Sequence, residues 1–329
     1  MNTPQEVLLD VKDLKVHFSI PSGKLFQKPG TLKAVDGVSF QVRAGETLGV
    51  VGESGCGKST LGRAVLRLLE PTAGQVAWFG REMGDMKPRE LRNVRSDLQV
   101  IFQDPLASLD PRMTIGQIIA EPLITHHPKL SKNEVKEKIK IMMAKVGLLP
   151  EQINRYPHEF SGGQCQRIGI ARAMILEPKM IVCDEAVSAL DVSIQAQIVN
   201  LLMGLQKEFG LSLIFISHNL SIVRHISHRI MVLYLGRMME VADRDQIYSK
   251  PLHPYTKALI SAVPIPDPKI ERNKEHVALK GDLPSPLNPP SGCVFRTRCP
   301  FAKDVCASDV PGLKVYDGNR EAACHFIEE

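Results

Sequence analysis

The stretch TLGVVGESGCGKST, residues 47–60, decides the fold of this 329-residue chain. Residues 47–52 are a short apolar run that ends in glycine, which is typical of a strand buried on both faces of a parallel sheet. Residues 52–59 fit the pattern Gly-x-x-x-x-Gly-Lys-Ser/Thr, and residues 58–69 carry leucine and valine at helical spacing. A strand, a glycine-rich loop and a helix in this order predict a phosphate-binding loop; the alternative is a chance glycine-rich turn.

The residue types in this loop indicate what it binds. Glycines let backbone N–H groups point inward at phosphate oxygens, and the helix that follows adds its positive N-terminal dipole. We expect Lys58 to reach the β- and γ-phosphates of a nucleotide and Ser59 to ligate Mg²⁺. The residues assigned to the nucleotide here are Gly52, Glu53, Ser54, Gly55, Cys56, Gly57, Lys58, Ser59 and Thr60.

Two adjacent acids end a later apolar run, KMIVCDE at 179–185. A phosphate-binding loop alone does not hydrolyse ATP, because the reaction also needs a second metal contact and a group that orients water. We expect Asp184 to complete the Mg²⁺ shell and Glu185 to act as general base. Capping of a helix is the alternative role for acids at the end of a strand.

A third motif, FSGGQ at 160–164, stands at a predicted helix start. Backbone amides and the helix dipole make such a start an anion site, but Ser-Gly-Gly is also a common turn. The motif lies 20 residues before Asp184, and its significance comes from this arrangement with the other two motifs.

The motifs together resemble those of the ATP-binding subunits of ABC transporters, and the match covers nearly the whole chain. Gln103 resembles the glutamine switch, FSGGQ the family signature, SALD at 188–191 the dimer-contact loop and His218 the switch histidine. Phe18 falls where the family places an aromatic ring that stacks on adenine, although Phe18 could equally belong to the core.

The resemblance implies an α/β fold, a P-loop NTPase core with an N-terminal antiparallel β subdomain and a helical subdomain at about 105–160. It implies bound ATP and Mg²⁺, with Ser59, Gln103 and Asp184 near the metal and the nucleotide held between two subunits. One site would receive Lys58, Ser59, Gln103, Asp184, Glu185 and His218 from this chain. The partner's site would receive Ser161, Gly162, Gly163 and Gln164.

Two positions depart from the family pattern. Ala186 follows Glu185 where proline is usual, and Asn219 follows His218 where aspartate is usual. Alanine frees a backbone that proline would fix, and asparagine removes a negative charge near the γ-phosphate. Neither change removes a catalytic group, so natural variation is the simpler interpretation.

The end of the chain narrows the resemblance. Composition changes after Ala262 to proline-rich sequence, so we predict an ATP-binding domain over 1–262 and a loop-rich C-terminal module over 263–329. HPYTKALISAVP at 253–264 and residues 283–300 look like the tails of peptide-importer ATPases. FSGGQCQR at 160–167, with Cys165 in its middle, looks closest to the second ATPase subunit of such importers. The assembly implied has a second, non-identical ATPase, two membrane permease subunits and an extracytoplasmic peptide-binding protein.

Four cysteines, Cys293, Cys299, Cys306 and Cys324, fall within 32 residues of this module. In a reducing compartment such a group favours a metal site over disulfides. Four thiolates suit zinc or a 4Fe–4S cluster. Zinc sites usually show paired C-x₂₋₄-C knuckles, whereas gaps of five, six and seventeen residues fit a chain wrapped around a larger object. The family resemblance also points to the cluster, in a structural role; unligated thiols are the remaining alternative.

Composition sets the location we expect. The acidic start lacks the apolar stretch of a secretory signal, and no apolar run approaches the ~18 residues of a membrane helix. We therefore expect a soluble chain that binds peripherally to the cytoplasmic face of the inner membrane.

The rival function is a soluble ABC ATPase acting on nucleic acid or ribosomes. The net charge of +5 and the basic residues Lys24, Lys28 and Lys33 permit it. A second phosphate-binding loop, a coiled-coil insertion and a basic stripe interleaved with aromatics are all missing from the sequence, so we expect no nucleic-acid partner. A non-catalytic ATP binder, the third class, is disfavoured by Glu185.

Overall fold

The computed structural model describes residues 6–21, 30–264, 267–273, 279, 281–318 and 320–327. Lys24 and Lys28 lie outside the described residues. The chain divides into two compact units: unit 1 is Met1–Leu9, Val42–Thr47 and Ala77–Ser217, and unit 2 is Asp10–Gln41, Leu48–Val76 and His218–Glu329.

The strands in chain order are β1 (Val7–Ile20), β2 (Gly30–Arg43), β3 (Thr47–Val51), β4 (Ala73–Trp78), β5 (Arg81–Glu82), β6 (Leu98–Ile101), β7 (Met180–Asp184), β8 (Ser212–Ile216), β9 (Arg229–Tyr234), β10 (Arg237–Asp243), β11 (Lys314–Tyr316) and β12 (Arg320–Ala322).

The helices are α1 (Lys58–Val65), α2 (Pro88–Asp97), α3 (Ile115–His126), α4 (Lys132–Lys145), α5 (Gly162–Met174), α6 (Val192–Phe209), α7 (Leu220–Ile226), α8 (Arg244–Ser249), α9 (Pro254–Ser261), α10 (Pro268–Arg272) and α11 (Val305–Ser308). Short 3₁₀ turns occupy Pro150–Asn154 and Pro157–Glu159. None of the helices among the described residues combines the length and apolarity that crossing a bilayer requires.

Unit 1 is built on three parallel strands in the order β8, β7, β6. Every residue of β7 and β8 is buried, as expected for strands covered on both faces. Cys183 pairs with Phe215 and Asp184 with Ile216, so β7 delivers its terminal acid at the carboxyl end of these strands. The apolar run at 179–185 therefore forms a strand, as expected.

Three helices of unit 1, α3, α4 and α5, begin at matched capping residues. Thr114, Ser131 and Ser161 each accept a hydrogen bond from the backbone N–H three residues on, and a glutamine or glutamate at that position bonds back. Such boxes stabilise a helix start by satisfying donors that have no partner within the helix. The charged sequence KNEVKEKIKIMMAK forms α4.

Unit 2 contains both the phosphate-binding loop and the C-terminal part of the chain. β3 pairs parallel with β9, and β9 and β10 form the predicted hairpin through Leu235 and Gly236, both at positive φ. Strands β12 and β11 then extend β10 antiparallel. β2, β1 and β4 are neighbours in a separate small sheet, which forms the expected antiparallel β subdomain.

A buried acid fixes the C-terminal part of unit 2. The carboxylate of Glu240, on β10, accepts backbone N–H bonds from Leu252 and His253, both at 2.8 Å. Beside it, the Ala323 N–H donates to Met239 O at 2.9 Å. The module after Ala262 has only short helices and strands among its described residues, as a loop-rich segment should. The domain boundary at 262/263 stays a prediction.

Candidate nucleotide site

The phosphate-binding loop connects β3 to α1, and its glycines adopt conformations closed to other residues. Gly52, Gly55 and Gly57 have φ of 155°, 77° and 103°. A Cβ on Gly57 would lie 2.0 Å from Ala34 O, and one on Gly52 would lie 2.2 Å from Leu233 O. The glycine pattern therefore reflects both backbone conformation and close packing of the loop.

Lys58 is buried at the start of α1, and its ammonium group is held by the loop itself. Its Nζ donates to Gly52 O at 2.8 Å and to Glu53 O at 3.0 Å. The remaining loop residues differ in exposure: Ser54 and Gly55 are exposed, whereas Ser59 and Thr60 are half-buried. Burial raises the pKa of the Cys56 thiol, so this side chain packs as a small neutral group.

In unit 1 the structure brings together two of the predicted catalytic residues. Gln103 Nε2 donates to Glu185 Oε2 at 3.2 Å, although 82 residues separate them in sequence. Glu185 has a φ of 49°, a conformation that non-glycine residues seldom adopt and that concentrates at functional sites. Asp184, directly before it, is buried. The carboxyl ends of β6 and β7 thus present the amide of Gln103, the buried acid Asp184 and the half-buried acid Glu185.

The signature residues lie at the start of α5. Ser161 Oγ accepts from the Gln164 N–H at 3.4 Å, and Gln164 Oε1 accepts from the Ser161 N–H at 3.0 Å. Ser161 and Gly162 are exposed, whereas Gly163 packs so closely that a Cβ there would lie 2.6 Å from Ile194. The second glycine is therefore required by packing, and the first two positions remain accessible from outside.

Three further predicted positions belong to unit 2. His218 is exposed. Phe18 is 37% exposed, so it is not a core residue, and its role in adenine stacking stays a prediction. Asn219 caps α7: its Oδ1 accepts from the N–H groups of Ser221 at 3.1 Å and Ile222 at 3.3 Å. Asparagine serves as well as aspartate at such a cap, which gives this departure a structural reason.

The four tail cysteines line one cavity of about 720 Å³, here called the tail pocket. Burial and the neighbouring thiols raise the pKa of Cys293 to about 11, and burial also raises the pKa of Cys299 and Cys324. The Cys293 N–H donates to Cys306 O at 2.8 Å, which joins the first and third cysteines.

Ligand spacing in the tail pocket does not match a single-ion site. Among the described residues, no group of three or more histidine, cysteine or acidic side chains is arranged to hold a metal ion. The sequence-based prediction of a metal-binding module is therefore not supported by the geometry.

Two residues that sequence reasoning missed touch the phosphate-binding loop. The Glu53 N–H donates to Tyr255 Oη at 3.1 Å, and Arg298 Nη1 donates to both carboxylate oxygens of Glu53 at 2.9 and 2.8 Å. These partners stand 202 and 245 residues from Glu53. Tyr255 lies in the HPYT stretch, and Arg298 lies beside Cys299. Their membership of these two tail motifs was the only sequence signal that could have found them.

A glycine-rich loop that holds a buried lysine, an Asp-Glu strand end and a Ser-Gly-Gly helix start define a nucleotide-binding ATPase of the ABC class. The ABC transporter family model matches residues 35–188, and the model of the oligopeptide/dipeptide transporter C-terminal region matches residues 239–306. The chain belongs to the ABC transporter ATP-binding proteins, in the branch of the oligopeptide transport ATP-binding proteins.

Relatives along the full chain carry that family name. Oligopeptide transport ATP-binding protein OppF of Escherichia coli is 67% identical over 94% of this chain and 93% of its own length. OppF of Haemophilus influenzae is 62% identical over 97% of both chains, and AppF of Bacillus subtilis is 53% identical over 98% of both.

A solved structure of similar fold is a dimer of the ATP-binding cassette MJ0796 bound to ADP and Pi. It is 27% identical, with a TM-score of 0.64 over 72% of this chain and 99% of that one.

The cap formed by Asn219 leads to a stability prediction. We expect Asn219→Ala to lower the free energy of unfolding by about 1 kcal/mol, because two N–H groups of α7 lose their acceptor. Asn219→Asp keeps a side-chain oxygen in the same place and should leave stability unchanged. Thermal unfolding of both full-length variants measures the effect; equal midpoints for wild type and Asn219→Ala would contradict the capping role.

Proposed function

We propose that this chain is the ATP-hydrolysing subunit of an importer that carries oligopeptides across the cytoplasmic membrane. The observation that carries the proposal is the Gln103–Glu185 hydrogen bond beside buried Asp184, in a chain whose relatives are oligopeptide transport ATP-binding proteins. A non-catalytic ATP binder would need neither a base nor a glutamine that restrains it.

ATP and Mg²⁺ would be held by the predicted site residues. Lys58 would neutralise phosphate charge, and Ser59, Gln103 and Asp184 would supply oxygen ligands, the donors that Mg²⁺ prefers. Glu185 would accept the proton of the attacking water, which Gln103 and His218 help to orient. When bound, Mg²⁺ neutralises charge that develops on the β- and γ-phosphates.

The accessible Ser161 and Gly162 support a site completed by a second subunit. An exposed helix start suits the γ-phosphate of a nucleotide bound to another chain. In the assembly we propose, that chain is a second, non-identical ATPase. Two membrane permease subunits and an extracytoplasmic peptide-binding protein complete it, and this chain binds peripherally at the inner membrane.

Exposed apolar side chains in the helical segment favour a protein partner over nucleic acid. Leu106, Ile124, Ile141 and Leu149 are each more than half exposed, at 54%, 55%, 57% and 63%. Apolar surface of this kind marks contacts with proteins, whereas nucleic acid is held by concentrated positive charge. We assign this segment to contact with a membrane subunit.

The role of Glu185 is tested by replacing its carboxylate with an amide of the same shape. Glu185→Gln should retain ATP binding and slow hydrolysis by about 100-fold or more, because the general base is lost. Glu137→Gln, an exposed position on α4, is the matched control. ATPase assays of the purified transporter measure both, and near-normal turnover of Glu185→Gln would refute the assignment.

The composite site is tested at Ser161. Ser161→Arg should leave nucleotide binding by this chain intact but abolish peptide uptake, since a bulky cation would fill the place of the partner's γ-phosphate. Ser131→Arg removes an equivalent capping box on α4 and controls for the lost cap. Normal uptake of labelled oligopeptide by cells carrying Ser161→Arg would exclude the shared site.

We further propose that the tail pocket holds a 4Fe–4S cluster bound by Cys293, Cys299, Cys306 and Cys324. The backbone N–H groups of Phe295, Phe301 and Phe326 face the sulfurs of three of these cysteines, and each by itself lowers the pKa of its thiol. The pocket is also lined by the cations Lys250, Lys257, Arg296 and Lys303, which suit an anionic cluster. When bound, the cluster would crosslink loops that have little apolar core.

Metal analysis of anaerobically purified protein tests this assignment. About four irons per chain and broad absorbance near ~400 nm are expected, as four cysteines around a cubane imply. Cys306→Ser should lose the iron, whereas Cys165→Ala, outside the tail pocket, should keep it. Colourless protein with one zinc would exclude the cluster, and metal-free protein that remains folded and active would exclude both.

A further inference from the structure

The N–H, the carbonyl oxygen and the carboxylate of Glu53, inside the phosphate-binding loop, all make hydrogen bonds. Its N–H donates to Tyr255 Oη at 3.1 Å, and its carbonyl oxygen accepts from Lys58 Nζ at 3.0 Å. Its carboxylate accepts from Arg298 at 2.9 and 2.8 Å. A loop residue whose donor, acceptor and charge are all engaged has little freedom to leave its conformation.

The Glu53–Arg298 ion pair is shielded from water. The Arg298 side chain is 10% exposed and the Glu53 side chain 26% exposed. The guanidinium also lies over the ring of Tyr234, 5.9 Å from its centroid. Ion pairs at this degree of burial interact more strongly than surface pairs, and removing one partner leaves the other charge without compensation.

Aromatic packing fixes the residues that hold Glu53. Phe295, fully buried, lies 5.3 Å from Tyr234 and 5.3 Å from Tyr255 between ring centroids, and Tyr234 and Tyr255 lie 4.8 Å apart. Phe295 and Arg298 belong to the short segment between Cys293 and Cys299. A rigid cluster of three rings therefore orients both Tyr255 and Arg298 toward the loop.

We propose that Arg298 and Tyr255 are positioning residues for the nucleotide, so that the C-terminal module is a working part of the phosphate-binding site. The inference rests on the proposed nucleotide site. Because Glu53 O accepts from Lys58, displacement of Glu53 would move the lysine that meets the phosphates. The segment 293–299 then links the tail pocket to nucleotide affinity directly through the Arg298–Glu53 ion pair, and indirectly through Phe295, which packs against Tyr255.

This linkage is reciprocal. If an ordered segment 293–299 tightens nucleotide binding, bound nucleotide must order that segment by the same free energy. Nucleotide affinity and backbone protection of the segment are thus two readouts of one coupling, and the second is independent of hydrolysis.

Variants of the full chain test the proposal, each chosen to remove one contact. Arg298→Met removes the charge but keeps an aliphatic side chain of similar length. Arg298→Lys keeps the charge but loses the planar guanidinium group. Tyr255→Phe loses only the hydroxyl. Arg244→Met is the matched control, because Arg244 lies in the same unit but bonds to Asp245 rather than to Glu53. Lys58→Ala reports whether the loop binds nucleotide at all.

The Kd for Mg·ADP should rise about 10-fold in Arg298→Met and less in Arg298→Lys and Tyr255→Phe, while Arg244→Met matches wild type. In the assembled transporter KM for ATP should rise with Kd, and kcat should change by less than about 2-fold, because only binding geometry is lost. Hydrogen exchange of residues 293–299 should slow when Mg·ADP binds to wild type and respond less in Arg298→Met.

The outcomes separate this inference from the proposed function. If Lys58→Ala binds Mg·ADP as wild type does, the nucleotide site itself is misassigned. If Lys58→Ala loses binding while Arg298→Met, Arg298→Lys and Tyr255→Phe keep wild-type affinity, only the positioning role is overturned. Should Arg298→Met fail to fold, Arg298→Lys and Tyr255→Phe decide by the same criterion, at temperatures below their measured unfolding.

Discussion

The phosphate-binding loop depends on one close approach of backbone to backbone. A Cβ on Gly57 would lie 2.0 Å from Ala34 O, and one on Gly236 would lie 2.8 Å from the same oxygen. The Gly236 N–H donates to Cys56 O, and the Asp36 N–H donates to Gly236 O, both at 2.8 Å. The loop, β2 and the β9–β10 turn are thereby joined through main-chain atoms. The positions of Lys58 and Glu53 follow from this junction, which tolerates no side chain.

Local patterns predicted the elements that carry the chemistry. The loop at 52–59 and the strand before Asp184 were each determined by residues close in sequence: glycines in the first and an unbroken apolar run in the second. Asn219 shows the limit of a family pattern, because the departure from aspartate is explained by a cap whose physical requirement is only an oxygen at that place. Comparison of amino-acid identities alone could not show whether this position requires a hydrogen-bond acceptor or a negative charge.

Contacts between distant segments could not be predicted in the same way. Arg298 and Glu53 are 245 residues apart, and no periodicity or spacing connects them. β11 and β12 have three residues each, too few for an alternating pattern to emerge, and the pairing of β12 with β10 depends on the tertiary path of the module. The cysteines were visible as a group, but their spacing gave no information about which backbone groups would face the sulfurs.

The C-terminal module therefore contributes to the phosphate-binding loop as well as being stabilised by the rest of unit 2. A module with short elements and little apolar core gains stability only by attaching to a better-packed region, and here it attaches through β10, through the ring cluster around Phe295 and through the acid of the phosphate-binding loop. The last of these attachments involves a charge that the loop would otherwise leave near the phosphates of a nucleotide. Neutralising Glu53 with Arg298 removes a repulsion from an anionic ligand while the same bond anchors the module, so stability and nucleotide affinity depend on a shared interaction.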